Sequence, residues 1–317
     1  MIQGWFDLDP AVLGLAITLL LQLAGNNFPW LVRQSAEVVN QMISVERMES
    51  YAENLPSEAP LNAPSDRNYV DWPKEYSICA KNLTVRYRPR LPLSLEKVSF
   101  EIQSGERIGV VGRTGSGKST LVQSLFRLLE PETGAIIIGG VDISTLGLHK
   151  LRSAIAVLPQ HPVLFEACTV RENLDPFGTY SEEKIWNALQ DVQMKSAIEA
   201  LPNNLDTEVS AGGLNFSVGQ RQLLCLGRAI LQESSILILD ECTANVDLTT
   251  EKLLKEVLRN KFQNSTILAI AHRLDTIADY DRILVLGDGQ VLEFGSPDEL
   301  LSHEQGHFAS LFASSKS

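Results

Sequence analysis

The segment Gly112-Arg113-Thr114-Gly115-Ser116-Gly117-Lys118-Ser119 constrains this chain more than any other. It follows the apolar run Ile108 to Val111 and leads into a stretch of helical character, Thr120 to Leu129. A strand that breaks into a glycine-rich turn and then a helix can curl its backbone N–H groups inward, and the helix adds its positive N-terminal end. The result is a cradle for phosphate. Gly112, Gly115 and Gly117 permit the curl, and Lys118 supplies a point charge. Ser119 offers a hydroxyl to a Mg²⁺ bridging the β- and γ-phosphates. Arg113, Thr114, Ser116 and Thr120 complete the expected nucleotide-binding loop.

A second segment, Ile236-Leu237-Ile238-Leu239-Asp240-Glu241, ends a wholly apolar strand in two carboxylates. Alone, such a pair would read as an exposed strand end. With the phosphate loop, Asp240 becomes the expected Mg²⁺ partner, through water, and Glu241 the base that polarises an attacking water. The apolar runs at 108–111, 155–158, 236–239, 267–271 and 283–286 end in Gly, Asp or Pro and alternate with amphipathic helical stretches. That is the pattern of an α/β fold with a parallel sheet covered on both faces. Ser181 to Leu201 reads as helical and is expected to belong to an inserted helical subdomain.

The net charge of -12 argues against a nucleic-acid partner, since gripping a phosphate backbone needs clustered Lys and Arg. The cysteines Cys79, Cys168, Cys225 and Cys242 show no metal or redox spacing and are expected to be reduced. The N-terminus differs from the rest: Val12 to Val32 is uncharged and about as long as the ~20 residues that span a bilayer. Gln22, Asn26 and Asn27 suit one helix of a bundle better than a lone anchor. Arg33 and the charged stretch 37–47 favour a cytosolic side for the C-terminal end of that helix. Val38, Val39, Met42, Val45 and Met48 extend the helical period until Pro56, Pro60 and Pro64 stop it. The expected division is therefore 1–53 for a transmembrane helix and its cytosolic extension, 54–75 for a linker, and 76–317 for the folded domain.

Asn215-Phe216-Ser217-Val218-Gly219-Gln220-Arg221-Gln222-Leu223, upstream of Asp240, resembles the signature sequence of ABC transporters. The resemblance implies a P-loop NTPase ABC cassette with a mainly parallel central sheet, an antiparallel β-subdomain and a helical subdomain at about 161–230. It also implies ATP and Mg²⁺ as ligands. Gln160 then corresponds to the Q-loop glutamine that senses Mg²⁺ and contacts the membrane domain. Ala244 to Asp247 corresponds to the D-loop, His272 to the switch histidine, and Tyr87 to the aromatic that stacks on adenine. Ser217, Gly219 and Gln220 would address a phosphate of an opposing cassette. Asn27 to Arg33, Val45 to Tyr51 and Val85 to Leu93 further resemble the second cassette, and the end of its membrane domain, in subfamily C, the multidrug-resistance-associated transporters. Phe216 and Val218 depart from the commonest signature, as second cassettes of that subfamily do.

In that family two cassettes pair head to tail. Lys118, Asp240, Glu241 and His272 would form the hydrolytic site with the partner's signature. Ser217, Gly219 and Gln220 would complete the other site, which often hydrolyses poorly because the first cassette lacks the catalytic glutamate. The expected function is the ATP-hydrolysing motor of an exporter of organic anions, conjugates or drugs, a small-molecule substrate handled by its membrane domains. The cassette would lie on the cytosolic side of a plasma or vacuolar membrane. A nucleotide-sensing regulator of a channel is the alternative.

Overall fold

The structure is a computed structural model that describes residues 9–55, 57–243, 246–271, 277, 279–303 and 306–315. The chain divides into two compact units, Met1–Glu58 and Ala59–Ser317.

The first unit is helical. Helix α1 (Pro10–Gln22) is capped by the Asp9 carboxylate, which accepts from Ala11 N–H, and has proline in its first turn, where no intrahelical donor is lost. A π-helical turn, Leu23–Asn27, joins it to α2 (Phe28–Asn54). There the N–H of Phe28 reaches back five residues to Leu23 O, just before Pro29. Proline has no N–H and its ring crowds the preceding turn, so widening the ladder at that point lets the helix continue. From Pro10 to Asn54 the path is long and apolar enough to cross a membrane, with a mean hydropathy of 1.5 over its best window. Leu20, Leu21 and Trp30 are exposed, an apolar surface that hydrocarbon or neighbouring helices would cover.

The second unit opens with β1 (Ile78–Val85), β2 (Leu95–Ile102), β3 (Arg107–Val111) and α3 (Lys118–Leu125). Next come β4 (Thr133–Ile138), β5 (Val141–Asp142), α4 (Leu148–Ala154) and β6 (Ile155–Leu158). Between β6 and β7 the chain inserts α5 (Val170–Leu174), α6 (Glu182–Asp191), α7 (Lys195–Glu199) and α8 (Val218–Leu231). It then runs through β7 (Ile236–Asp240), α9 (Leu248–Lys261), β8 (Thr266–Ile270), β9 (Arg282–Gly287), β10 (Gln290–Gly295), α10 (Pro297–Ser302) and α11 (His307–Ser315).

One sheet has the order β10-β9-β3-β8-β7-β6, parallel except for β10 against β9, and an antiparallel sheet has the order β2-β1-β4-β5. The alternation of side chains along a strand sorts the core into two layers. Ile236, Ile238, Leu268 and Ile270 pack with Leu121 and Leu125 of α3 and with the antiparallel sheet. Leu237, Leu239, Ile267 and Ala269 pack with residues of the helical insertion and with Leu254 of α9. Burial on both faces is why these strands read as unbroken apolar runs.

Two helical expectations are refined. The stretch 181–201 is two helices, because Gln193 takes a positive φ of 54° between α6 and α7. The helix after the phosphate loop stops at Leu125 rather than Leu129, with Arg127 at φ 51° donating to Ile143 O and Leu146 O.

The linker expected over 54–75 is more than a spacer. From Ala59 onward it belongs to the second unit and lies across the start of α4. Pro60 O and Leu61 O accept from Leu148 N and His149 N at 3.1 and 2.9 Å, and the Asp66 carboxylate accepts from Gly147 N at 2.9 Å. These groups satisfy N–H donors that a helix start leaves without partners. Trp72 is buried among the side chains of the antiparallel sheet and donates its indole N–H to Ile138 O at 2.9 Å.

Candidate functional site

The phosphate loop bends out of the C-terminal end of β3. A β-carbon on Gly112 would lie 2.2 Å from Leu286 O. Gly117 takes φ 102° as the residue that caps α3, and a β-carbon there would lie 2.6 Å from Leu95 Cδ2. Glycine is therefore required at both places. Thr114, Gly115 and Ser119 are exposed, whereas Ser116 and Thr120 are buried.

The Lys118 ammonium turns back and donates to Gly112 O at 2.7 Å and Arg113 O at 3.1 Å. That uses two of its three protons. Burial pushes its pKa below the usual lysine value, partly countered by the nearby Glu241 and Asp240 carboxylates. The buried Ser116 hydroxyl has no hydrogen-bond partner among the described residues. A buried unsatisfied hydroxyl and an ammonium held by its own loop carbonyls suit an incoming polyanion, so these residues fit the phosphates of ATP.

Asp240 ends β7, paired in register with Ile270 of β8, and β8 lies between β7 and β3. Both carboxylates thus emerge at the same end of the sheet as the phosphate loop, one strand removed from β3. Glu241 leaves the strand at φ 48°, and its N–H donates to Ile270 O at 3.1 Å. A non-glycine residue held there costs about 1–3 kcal/mol, a strain that aims its side chain. Its Oε2 accepts from Gln160 Nε2 at 2.8 Å, which joins the end of β6 to the end of β7. Among the described residues no three His, Cys, Asp or Glu side chains form a metal cluster. Ser119 on the first turn of α3, Gln160 after β6 and Asp240 at the end of β7 each carry a side-chain oxygen of the kind a Mg²⁺ accepts. Tyr87 is half exposed, and its hydroxyl lies 3.2 Å from Thr120 Oγ1, which ties the ring to the first turn of α3.

The signature residues lie at the start of α8, where Ser217 and Gln220 form a reciprocal cap. Ser217 Oγ accepts from Gln220 N at 3.1 Å, and Gln220 Oε1 accepts from Ser217 N at 2.9 Å. In this cap the Ser217 oxygen acts as an acceptor, so its hydroxyl proton is not used by the bond to Gln220. Gly219 is buried against the start of α9, where a β-carbon would lie 3.0 Å from Thr250 Oγ1 and 3.4 Å from Asp247 Oδ1. Asp247 caps α9, accepting from Thr249 Oγ1, Thr250 Oγ1 and Thr250 N, and these bonds hold its carboxyl well below the usual range. The side-chain hydrogen bonds of Ser217 and Gln220 stay within their own cap, and none reaches the phosphate loop of the same chain among the described residues. His272, Ala244 and Asn245 lie outside the described residues. Sequence reasoning assigned no role to Gln222, whose signal was a polar residue at i+3 from Gly219 on the apolar face of α8.

The family model for ABC transporters matches residues 95–244. Mouse ATP-binding cassette sub-family C member 2 is 50% identical over 274 residues, covering 86% of this chain and 18% of that protein. Human ATP-binding cassette sub-family C member 4 is 49% identical over 301 residues, covering 95% and 22%. The chain thus spans about a fifth of the length of the curated relatives it matches. Among solved structures, a bacterial Atm1-family ABC exporter with ATP bound superposes with a TM-score of 0.79 at 32% identity, covering 88% of this chain and 48% of that one.

Proposed function

The chain belongs to the ABC transporters of subfamily C, and on that premise we propose that it is the second ATP-hydrolysing cassette of an exporter of organic anions, conjugates or drugs, paired head to tail with a first cassette. The observation that carries the reading is Glu241, set in a left-handed conformation, bonded to Gln160 and near enough to Lys118 for its charge to offset part of the burial that lowers the lysine's pKa. Glu241 orients the attacking water and accepts its proton. Lys118 leaves its loop carbonyls for the β- and γ-phosphates, and the loop N–H groups and Ser116 hold them in place. Tyr87 stacks on the adenine. Mg²⁺, held by Ser119 and Asp240 with Gln160 beside it, would neutralise charge developing on the phosphate oxygens.

Ser217 and Gly219 serve the partner's nucleotide, in keeping with the exposed Ser217 cap and with the absence of hydrogen bonds from that cap to its own phosphate loop among the described residues. An open, largely apolar groove of about 590 Å³, lined by Val122, Phe126, Val157, Val163 and Arg228, supports docking of a cytosolic segment of the membrane domain. Closure of the cassette pair on ATP and its reopening after hydrolysis would drive that segment.

The test is steady-state ATPase activity of the chain, alone and mixed with a first cassette of the subfamily, with Glu241→Gln as the comparison. Stimulation by the partner that disappears in Glu241→Gln, with ATP binding kept, supports the motor. Tight ATP binding without turnover in either mixture overturns it in favour of nucleotide sensing.

A further inference from the structure

Helix α8 presents its apolar face through Gly219, Leu226 and Ala229, and Gln222 stands in the same row. Gln222 is wholly buried, at 0% exposure. Its Nε2 donates to Pro159 O at 3.2 Å, and its Oε1 has no partner among the described residues. Rotating the amide would set oxygen against oxygen, so the bond to Pro159 fixes which way it points. An apolar side chain of equal volume would fill the place without stranding an amide oxygen. The bond to Pro159 is therefore what the amide contributes.

Pro159 is the first residue after β6 and directly precedes Gln160, whose Nε2 reaches Glu241 Oε2 at 2.8 Å. A short physical path thus runs from the Ser217 cap along one turn of α8 to Gln222, through Pro159 and Gln160, and ends on the Glu241 carboxylate. Other side-chain bonds from α8 fall further on: Cys225 Sγ donates to Val163 O at 3.9 Å, and Arg228 donates to Val163 O and to Asn173 Oδ1, both at 2.7 Å, and also to Asn173 O. Among the described residues of α8, Gln222 holds the peptide that leads into Gln160.

We propose that Gln222 is a positioning residue, which from the signature helix sets the Pro159–Gln160 peptide and so aims Gln160 at Glu241 and the Mg²⁺ position. It rests on the nucleotide site proposed above. Because Ser217 and Gly219 serve the partner's nucleotide, Gln222 links the two composite sites through this chain: a shift of α8 moves Gln160.

The experiment is a double-mutant cycle on the 317-residue chain, read by calorimetric binding of a non-hydrolysable ATP analogue with EDTA and with Mg²⁺. Gln222→Met keeps volume and helix preference, and Gln222→Leu serves as a second variant, with thermal melting to check folding. We expect analogue affinity in EDTA to stay within about twofold of the unmutated chain, and the gain conferred by Mg²⁺ to fall about fivefold, the worth of one hydrogen bond. In a Gln160→Ala background the same substitution should cost less than about twofold more, because the path is already cut. Equal losses in both backgrounds, equal losses with and without Mg²⁺, an unchanged Mg²⁺ gain, or no Mg²⁺ gain in the unmutated chain would each overturn the proposal. Failure of both variants to fold would make Gln222 a structural residue and overturn it too. Since binding needs no turnover, a chain that passes this test yet never hydrolyses ATP sinks the motor reading alone.

Discussion

Replacing Trp72 tests whether residues 59–75 are part of the cassette or a tether leading into it. Trp72 is 9% exposed, belongs to the core layer beneath the antiparallel sheet, and bonds Ile138 O. Trp72→Ala removes a large buried side chain at a cost of about 3–5 kcal/mol. For a unit of this size each kcal/mol lowers Tm by roughly 2–4 °C, so the expected fall is about 10 °C. Trp72→Phe keeps most of the apolar surface but loses the bond to Ile138 O, at about 0.5–1.5 kcal/mol and a fall of roughly 3 °C. The assay is thermal unfolding of the 317-residue chain in detergent, followed by near-ultraviolet circular dichroism. A shift within about 1 °C for Trp72→Ala, where a full core contact predicts several degrees, would refute the reasoning and return the segment to the status of a linker.

The same geometry sets further outcomes. Glu241→Gln should keep analogue binding and the melting temperature while lowering turnover about 10²–10⁴-fold, as measured by phosphate release. Tyr87→Ala should weaken ATP by about 1–3 kcal/mol if the ring stacks on the base, whereas Tyr87→Phe, which loses only the bond to Thr120, should cost less; calorimetry separates the two. The bond from Gly147 N–H holds the Asp66 carboxyl below its ordinary value of 3.8 against the opposing effect of burial, with further help from Ala63 N–H and Lys150. Its stabilisation is therefore full above 3.8 and lost as the pH falls through the lower folded value, so Asp66→Asn should show a flatter acid limb in urea midpoints. Burial pushes the Cys242 thiol up to about 12, so at mildly alkaline pH iodoacetamide should label the half-buried Cys79 and Cys168 first, as peptide mass mapping can show.

Much of this molecule is legible along the chain because the chemistry demands neighbours in sequence. A phosphate cradle needs consecutive N–H groups, so Gly112 to Ser119 stand together, and a strand buried on both faces must be apolar at every position, as Ile236 to Leu239 are. The helix of the first unit is legible for the same reason, since its run of apolar residues is continuous enough to reach the length that crosses a membrane. The α/β order, the acidic pair after β7 and the reciprocal cap of Ser217 and Gln220 are local patterns of this kind.

What the tertiary structure alone decided depends on contacts between distant residues. Residues 59–75 carry no apolar period; they belong to the second unit through one tryptophan and through carbonyl and carboxylate groups that meet the start of α4. The insertion of β8 between β3 and β7 follows from how strands pair, which their uniform apolar runs do not encode. The left-handed backbone of Glu241 is imposed by its bond to Ile270 and by the close of β7 beside β8. Gln222 and Pro159 are 63 positions apart, and a side chain reaching a backbone carbonyl at that distance leaves no periodic trace. Short-range chemistry writes itself into consecutive residues, whereas the aim of Gln160 and Glu241 depends on hydrogen bonds that exist only once the helical insertion has folded back on the sheet.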